Sequence, residues 1–261
     1  TPAIYPLSHH AARPILAAVA GKALKKASVE LGGSDAFIVL DGADLEEAVK
    51  WAVFGRHWNA GQVCVSSKRL IVADAIYDRF VELYKKGVAE LKAGDPMDPA
   101  TTLAPLSSQK AADDLRAQVE EACKPVANAE VIGAPVPEKG AFFQPVLLTN
   151  LENNEARLWE FFGPVTQLYR AKDTEDAIRI ANDSPYGLGG SVFTQDTKRG
   201  VEVARRIYTG MVYINHPTMV KADLPFGGVA RSGFGRELIG LGIKEFVNHK
   251  LIDVVDIDAP F

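Results

Sequence analysis

Residues 29–64 read VELGGSDAFIVLDGADLEEAVKWAVFGRHWNAGQVC, and the fold prediction starts from this stretch. The apolar run 36–40 follows the glycine pair 32–33 and predicts a buried strand. Asp44 and Glu47 have the spacing of a capping box, so a helix with an apolar face should begin there. A buried strand followed by an amphipathic helix is typical of an α/β protein whose strands pair mainly in parallel.

The same alternation continues through the rest of the chain. Further strands are predicted at 68–72, 144–148, 166–170, 188–194 and 211–215, and helices at 11–26, 76–91, 107–124, 173–182, 197–207 and 237–244. The Gly- and Pro-rich segment 216–235 predicts irregular structure. Segment 250–258 alternates polar and apolar residues, which favours a strand at an edge of this chain's own sheet or on the sheet of a neighbouring subunit.

Composition argues against several classes of function. A formal net charge of −4 over 261 residues offers no basic surface for nucleic acid or an anionic membrane. No apolar run reaches the roughly 18 residues of a membrane helix, and the N-terminus lacks the pattern of a secretory signal. Two cysteines make no disulfide framework, and the scattered histidines suggest no metal site. We therefore expect a cytoplasmic protein without metal, membrane or nucleic-acid partner.

Cys64 is the first candidate for chemistry. It ends the run NAGQVC, 34 residues after Glu30 and just after a predicted helix and a glycine. A thiol in such a loop can be exposed and have a lowered pKa, as a nucleophile requires. The alternative is a cysteine that only packs in the core, since free cysteines are among the most buried residues.

Two glutamates are the other candidates. Glu30 ends a predicted strand just before the glycine pair, and strand ends above a parallel sheet are natural positions for a site. Glu160 stands beside Phe161, Phe162 and a Gly-Pro turn, which suits contact with a sugar and a planar ring. The alternatives are a glutamate that caps a turn for Glu30, and an exposed acid beside core aromatics for Glu160.

Taken together, five motifs in a fixed order resemble the aldehyde dehydrogenase superfamily. They are VELGGSD (29–35), NAGQVC (59–64), EFFGPV (160–165), ANDSPYGL (181–188) and PFGGVARSGFGRE (225–237). The resemblance extends from about Ala17 to the end of the chain. Within the superfamily the pattern is most similar to the bacterial succinate-semialdehyde dehydrogenases, and the implied fold is the α/β catalytic domain of that family.

The resemblance implies a role for each candidate residue. In that family the cysteine of the GQ-x-C motif attacks the aldehyde to form a thiohemiacetal, hydride passes to NAD(P)⁺, and the resulting thioester is hydrolysed. Cys64 would then be the nucleophile and Glu30 the base that activates water. Glu160 would hold the nicotinamide ribose, with Phe162 and the backbone of Leu31 near the nicotinamide ring.

The resemblance also divides the chain into three parts. Residues 1–32 would be a remnant of the NAD(P)-binding domain, 33–240 the catalytic domain, and 241–261 a C-terminal segment with the oligomerisation strand of a dimer or tetramer. Complete relatives carry a further N-terminal half that supplies most of the cofactor domain. In residues 8–13, SHHAAR stands where relatives have the glycines of a phosphate-binding turn. We therefore expect weak binding of NAD or NADP by this chain.

The substrate implied by the resemblance is a small aldehyde such as succinic semialdehyde, whose carboxylate needs a cation. Some relatives place an arginine where this chain has Trp58. Arg56, His57 and Lys221 are the nearby cationic candidates.

Two other functions remain open at the level of sequence. The chain could be a non-catalytic remnant that keeps the fold and pairs with another subunit through its final strand. It could also be a thiol hydrolase that uses Cys64 and Glu30 without a cofactor.

Overall fold

The computed structural model of the protein describes residues 9–124 and 127–260, with described side chains from residue 15 onward. The helices are α1 (His9–Lys22), α2 (Leu45–His57), α3 (Tyr77–Ala89), α4 (Gln109–Cys123), α5 (Thr174–Asn182), α6 (Thr197–Ala204) and α7 (Ile239–Glu245). The strands are β1 (Val29–Glu30), β2 (Ala36–Val39), β3 (Arg69–Ala73), β4 (Asn128–Val131), β5 (Val146–Thr149), β6 (Val165–Ala171), β7 (Tyr186–Gly187), β8 (Gly190–Phe193), β9 (Tyr213–Ile214), β10 (Val229–Ala230) and β11 (Gly233–Phe234).

One central sheet organises the chain. Among the described residues it has seven strands, in the order β4-β5-β6-β3-β2-β8-β9. Its neighbouring strands run parallel except β4 and β5, which pair antiparallel at one edge. In this register Ile38 of β2 lies opposite Ile71 of β3 and Val192 of β8. The prediction of an α/β fold with a mostly parallel sheet is confirmed.

Helices cover both faces of the sheet because successive strand side chains point in opposite directions. Phe37 and Leu70 pack on one face in a cluster with Ala52 of α2 and Tyr84 of α3. Ile38 packs on the other face, and the buried residues that the helices α4, α5 and α6 contribute there are Ala112, Leu115, Ala122, Ala177, Ile178, Ile180, Ala181 and Val203. The sheet is thus buried on both sides, which explains why its central strands are continuous apolar runs.

Helix α2 begins as the sequence predicts. The Asp44 side chain accepts a hydrogen bond of 3.1 Å from the backbone N–H of Glu47. Ala48, Val49 and Ala52 form its buried face. The cap satisfies a backbone donor that the first turn of a helix leaves free, and α2 then carries the chain toward Cys64.

One strand was missed, and two predictions of local structure are wrong. Strand β4 was not predicted because all four of its side chains are exposed and it has no apolar face. The predicted irregular segment 216–235 contains β10 and β11, which pair antiparallel with β7 and β1. Helix α1 ends at Lys22 rather than near Lys26, and Leu24 follows with a φ of 54°.

Segment 250–258 forms no strand with any residue that the structure describes, and its side chains are exposed. The interpretation as an edge strand of this chain's own sheet is therefore wrong. Its addition to the sheet of a neighbouring subunit stays a prediction, as do the domain boundaries. Within 9–124 and 127–260, none of the helices has the length and apolar character needed to cross a membrane.

Candidate active site

The motifs singled out from the sequence meet at one edge of the central sheet. The ELGG motif immediately precedes β2, Cys64 precedes β3, Glu160 precedes β6, and the PYGL sequence leads into β8. Strands β6, β3, β2 and β8 are neighbours and parallel, so their amino ends lie side by side.

The predicted placement of Glu30 at a strand end of the parallel sheet is wrong in its detail. Glu30 does end a strand, but β1 belongs to a separate antiparallel ribbon in which Glu30 pairs with Gly233 of β11. The site is thus built from the loops that enter the central strands and from this ribbon.

A tight turn leads the chain from α2 to Cys64. One 3₁₀ turn (Trp58–Gly61) separates α2 from Cys64, and its last three residues have left-handed backbone angles, ending with a φ of 74° at Gly61. A Cβ at Gly61 would lie 2.6 Å from the carbonyl oxygen of Gly163. Glycine is required here by backbone conformation and by space, and the turn therefore packs the nucleophile loop against the EFFGPV motif.

The surroundings of Cys64 are partly apolar. The half-buried side chain packs against a small cluster that includes Phe226 of the PFGG motif. Burial raises the pKa of the Cys64 thiol; Lys68 opposes this, while Asp35 and Glu160 add to it. The sequence-based expectation of a lowered thiol pKa is therefore wrong for this structure, because desolvation outweighs the nearby cation.

Lys68 links three of the motifs. Its side chain is completely buried, and its ammonium group donates to the carbonyl oxygens of Val63 and Cys64 at 2.7 and 2.9 Å. The same Nζ lies 3.4 Å from Oε1 of Glu160, which also accepts the backbone N–H of Gly33 at 3.0 Å. We refer to these five residues as the lysine corner.

Sequence reasoning missed Lys68. The signal was present, since a lysine four residues after the cysteine leads into the apolar run of β3. A lysine at the entrance of a buried strand needs partners inside the protein.

Of the residues predicted to meet a cofactor, Glu160 is turned inward. Its side chain is only 10% exposed, so its interpretation as an exposed acid is wrong. The side chain of Phe162 is about half exposed, and Leu31 is held by a 3.0 Å hydrogen bond from its N–H to the carbonyl of Ser232. The ring of Phe162 is therefore accessible, whereas the carboxylate of Glu160 is engaged inside the protein.

Glu30 occupies a different environment. Burial raises the pKa of Glu30 to about 7; Glu237 adds to this and Arg236 opposes it. Neither carboxylate oxygen has a hydrogen-bond partner in the part of the chain that the structure describes. A Cβ on Gly227 would lie 2.9 Å from Oε1 of Glu30. We refer to Glu30, Gly227, Arg236 and Glu237 as the glutamate pocket.

The PFGG motif connects the two environments. Phe226 packs in the cluster that Cys64 contacts, and the next residue, Gly227, lies against the carboxylate of Glu30. The arrangement combines a thiol on a fixed turn with a carboxylate that is half ionised near neutral pH, which suits nucleophilic attack followed by general-base hydrolysis.

Comparison with known proteins agrees with the five motifs and their geometry. Residues 8–252 match the Aldehyde dehydrogenase family. The chain belongs to the aldehyde dehydrogenase family. The match begins before Ala17, from which the sequence motifs alone predicted the resemblance to start.

Individual relatives agree with this assignment. The chain is 51% identical over 238 residues to the succinate-semialdehyde dehydrogenase [NADP(+)] of Deinococcus radiodurans, a match that covers 91% of this chain and 50% of that protein. The corresponding protein of Mycobacterium avium is 44% identical over the same shares. The crystal structure of succinic semialdehyde dehydrogenase from Streptococcus pyogenes in complex with NADP⁺ superimposes with a TM-score of 0.90 and 46% identity, over 95% of this chain and 55% of that one. The chain spans about half the length of the curated relatives it matches.

The predicted cations for a substrate carboxylate are mostly unsuitable. Arg56 is fully buried and donates to the carbonyl oxygens of Val165 and Phe161 at 2.9 and 3.0 Å. His57 is also buried, and burial lowers its pKa to about 3, so its ring is neutral. The interpretation of these two residues as substrate ligands is therefore wrong, whereas Lys221 is exposed.

Proposed function

We propose that this chain is the catalytic part of an aldehyde dehydrogenase that uses NADP⁺ or NAD⁺ to oxidise succinic semialdehyde, or a similar small aldehyde, to the carboxylate. The observation that carries the proposal is the placement of the Cys64 thiol and the Glu30 carboxylate around the Phe226-Gly227 pair. The names of the relatives from Deinococcus radiodurans and Mycobacterium avium support the substrate.

In the proposed mechanism the Cys64 thiolate attacks the aldehyde carbon and forms a thiohemiacetal. A bound nicotinamide cofactor would supply the acceptor for the hydride that the thiohemiacetal carbon gives up, and with loss of the hydroxyl proton the acyl group would remain as a thioester on Sγ. Glu30 then takes a proton from a water molecule, the water adds to the thioester carbon, and the acyl group leaves Sγ as a carboxylic acid. With a pKa of about 7 and no competing hydrogen bond from the described residues, the Glu30 carboxylate suits this proton transfer.

Three residues would hold the cofactor. We assign Glu160 to the ribose hydroxyls, and Phe162 and the backbone of Leu31 to the nicotinamide side of the site. To reach a ribose, Glu160 would have to give up its contacts with Lys68 and the N–H of Gly33. We propose that the chain alone binds the cofactor weakly, and a fluorescence titration that gives a low-micromolar Kd would contradict this.

The proposal extends to assembly and location. Leu251, Val254 and Ile257 are almost fully exposed apolar residues in the C-terminal segment, and such side chains suit a strand added to a second copy of the chain in a dimer or tetramer. A cytoplasmic location fits the two free cysteines.

The deciding experiment tests whether the reaction depends on Cys64. Succinic semialdehyde is incubated with NADP⁺ or NAD⁺, formation of the reduced cofactor is followed by absorbance, and Cys64→Ala is compared with Cys123→Ala. We expect Cys64→Ala to lose on the order of 10⁴-fold or more in rate, and Cys123→Ala to keep the parent rate. Undiminished activity of Cys64→Ala would overturn the proposal.

Two further measurements separate the alternatives. Equal kcat/KM for succinic semialdehyde and butanal would argue against an acidic substrate. Hydrolysis of an activated ester without aldehyde oxidation would instead support a cofactor-independent thiol hydrolase. If neither reaction occurs, the chain is a non-catalytic remnant of the family.

A further inference from the structure

Lys68 is buried more completely than a lysine normally is. None of its side chain is exposed, and its ammonium group lies 3.4 Å from the carboxylate oxygen Oε1 of Glu160. Two of its three close acceptors are the backbone carbonyl oxygens before and after the Cα atom of Cys64, those of Val63 and Cys64. Removing an ammonium group from water is unfavourable unless its partners compensate, and two of the partners here are carbonyl groups of the loop that carries the thiol.

A neutral donor could satisfy the two carbonyl groups, so the positive charge itself needs an explanation. The charged groups that act on Cys64 within the described chain are Lys68, Asp35 and Glu160, and Lys68 is the cation among them. Asp35 and Glu160 both oppose a thiolate, and Arg56, which is also close to Lys68, donates its guanidinium hydrogen bonds to backbone carbonyls and Ser66. Lys68 is therefore the charged group that favours a thiolate at Sγ, beside the backbone N–H of Val65.

We propose that Lys68 is a positioning residue for the nucleophile: its ammonium group fixes the turn that presents Cys64 and compensates the negative charge of the Cys64 thiolate. The inference rests on the proposed nucleophilic role of Cys64, but it requires neither the cofactor nor the aldehyde. It also gives Glu160 a second effect, because its carboxylate engages the same ammonium group and opposes ionisation of the thiol.

The test measures how the reactivity of Cys64 depends on pH. In a Cys123→Ser background Cys64 is the remaining cysteine, and its alkylation by iodoacetamide is followed by mass spectrometry between about pH 6 and pH 10. The variants are Lys68→Met and Lys68→Gln, which remove the charge, and Lys68→Arg, which keeps it. Circular dichroism and Tm establish that each variant is folded.

We expect both neutral variants to move the midpoint of alkylation upward by about one pH unit or more, because a cation next to a thiol favours the thiolate. Alkylation near pH 8 then slows about tenfold, and Lys68→Arg restores most of the rate. A midpoint in folded Lys68→Gln that stays within about 0.3 unit of the parent would overturn the proposal.

A second variant keeps the test decisive if both neutral variants fail to fold. The double variant Lys68→Gln/Glu160→Gln removes both members of the ion pair and leaves neither charge buried alone. Its midpoint should lie above that of Glu160→Gln, which loses only the carboxylate. An equal or lower midpoint in the double variant would contradict the inference. Since alkylation needs no cofactor, a chain that fails to oxidise aldehydes can still confirm or refute the role of Lys68.

Discussion

The lysine corner and the glutamate pocket hold the two groups on which the proposed reaction depends, and they are built in opposite ways. In the corner, the buried ammonium of Lys68 has partners in two carbonyl groups and in Glu160, whose carboxylate also accepts the N–H of Gly33. In the pocket, both oxygens of the Glu30 carboxylate are buried without a hydrogen bond from any described residue.

The difference fits what each group would do in the proposed reaction. A nucleophile must be held within a few tenths of an ångström of its productive position, which a connected hydrogen-bond network achieves. A general base must keep a lone pair free for water and have a pKa close to the working pH. Hydrogen bonds to the Glu30 carboxylate would lower its pKa. The described residues donate none to it, which agrees with its raised pKa of about 7.

The largest effect should come from replacing the carboxylate of the glutamate pocket by an amide. Glu30→Gln cannot take a proton from water, so the acyl-enzyme formed on Cys64 by p-nitrophenyl acetate should persist. We expect a burst of about one equivalent of p-nitrophenol followed by steady-state hydrolysis slowed on the order of 10²–10⁴-fold. Stopped-flow absorbance measures both phases. A variant that turns over at the parent rate would exclude Glu30 as the base.

Two controls belong to this substitution. Alkylation of Cys64 by iodoacetamide should be unchanged in Glu30→Gln, since the base lies outside the lysine corner. Stability should also respond with a definite sign. The raised pKa of Glu30 stabilises the parent fold below about pH 4.5, and this contribution is lost as pH rises through about 7. The Tm of Glu30→Gln minus the Tm of the parent should therefore be larger at pH 8 than at pH 5.

A smaller effect should come from loosening the turn of the corner. Gly61→Ala combines a positive φ with a Cβ 2.6 Å from the carbonyl oxygen of Gly163, whereas Gly42→Ala has a comparable φ of 80° and no atom within 4 Å. We expect Gly61→Ala to lower the free energy of unfolding by about 1–3 kcal/mol more than Gly42→Ala and to slow alkylation of Cys64. Urea denaturation compares the two, and equal losses would show that space at Gly61 is unimportant.

The helices and strands show how much of the fold can be predicted from the sequence. Apolar runs and the Asp44 cap predict the central strands and α2, because burial and capping leave local patterns. Strand β4 leaves no such pattern, since the side chains of Asn128–Val131 are all exposed and the strand is defined by its backbone pairing with β5. The short strands of 216–235 were missed for a similar reason: two residues are too few for an alternation to be visible.

For the site, motif order singled out two carboxylates, Glu30 and Glu160, and one thiol, Cys64, but not their environments. The pKa of Cys64 was predicted in the wrong direction because desolvation depends on packing with residues such as Phe226, far away in sequence. Lys68 was missed because its partners, apart from the adjoining loop, include Glu160, which stands 92 residues later. The position of Lys68 before an apolar strand indicates burial, but its partner Glu160 is identified only when the sheet brings the two segments together.

The smallest effect should come from substituting the charged residues beside Glu30 while Glu30 itself is kept. Glu237 raises the pKa of Glu30 and Arg236 lowers it. Both effects are smaller than that of burial, which is the main cause of the raised pKa. Glu237→Gln should move the pH midpoint of steady-state ester hydrolysis downward, and Arg236→Gln should move it upward, each by less than about one unit because solvent screens partly exposed charges. The midpoint for alkylation of Cys64 should stay fixed in both variants. If the two substitutions shifted the hydrolysis midpoint in the same direction, the ionisation of Glu30 would not control hydrolysis. If they moved the alkylation midpoint as much as the hydrolysis midpoint, the lysine corner and the glutamate pocket would not be separate.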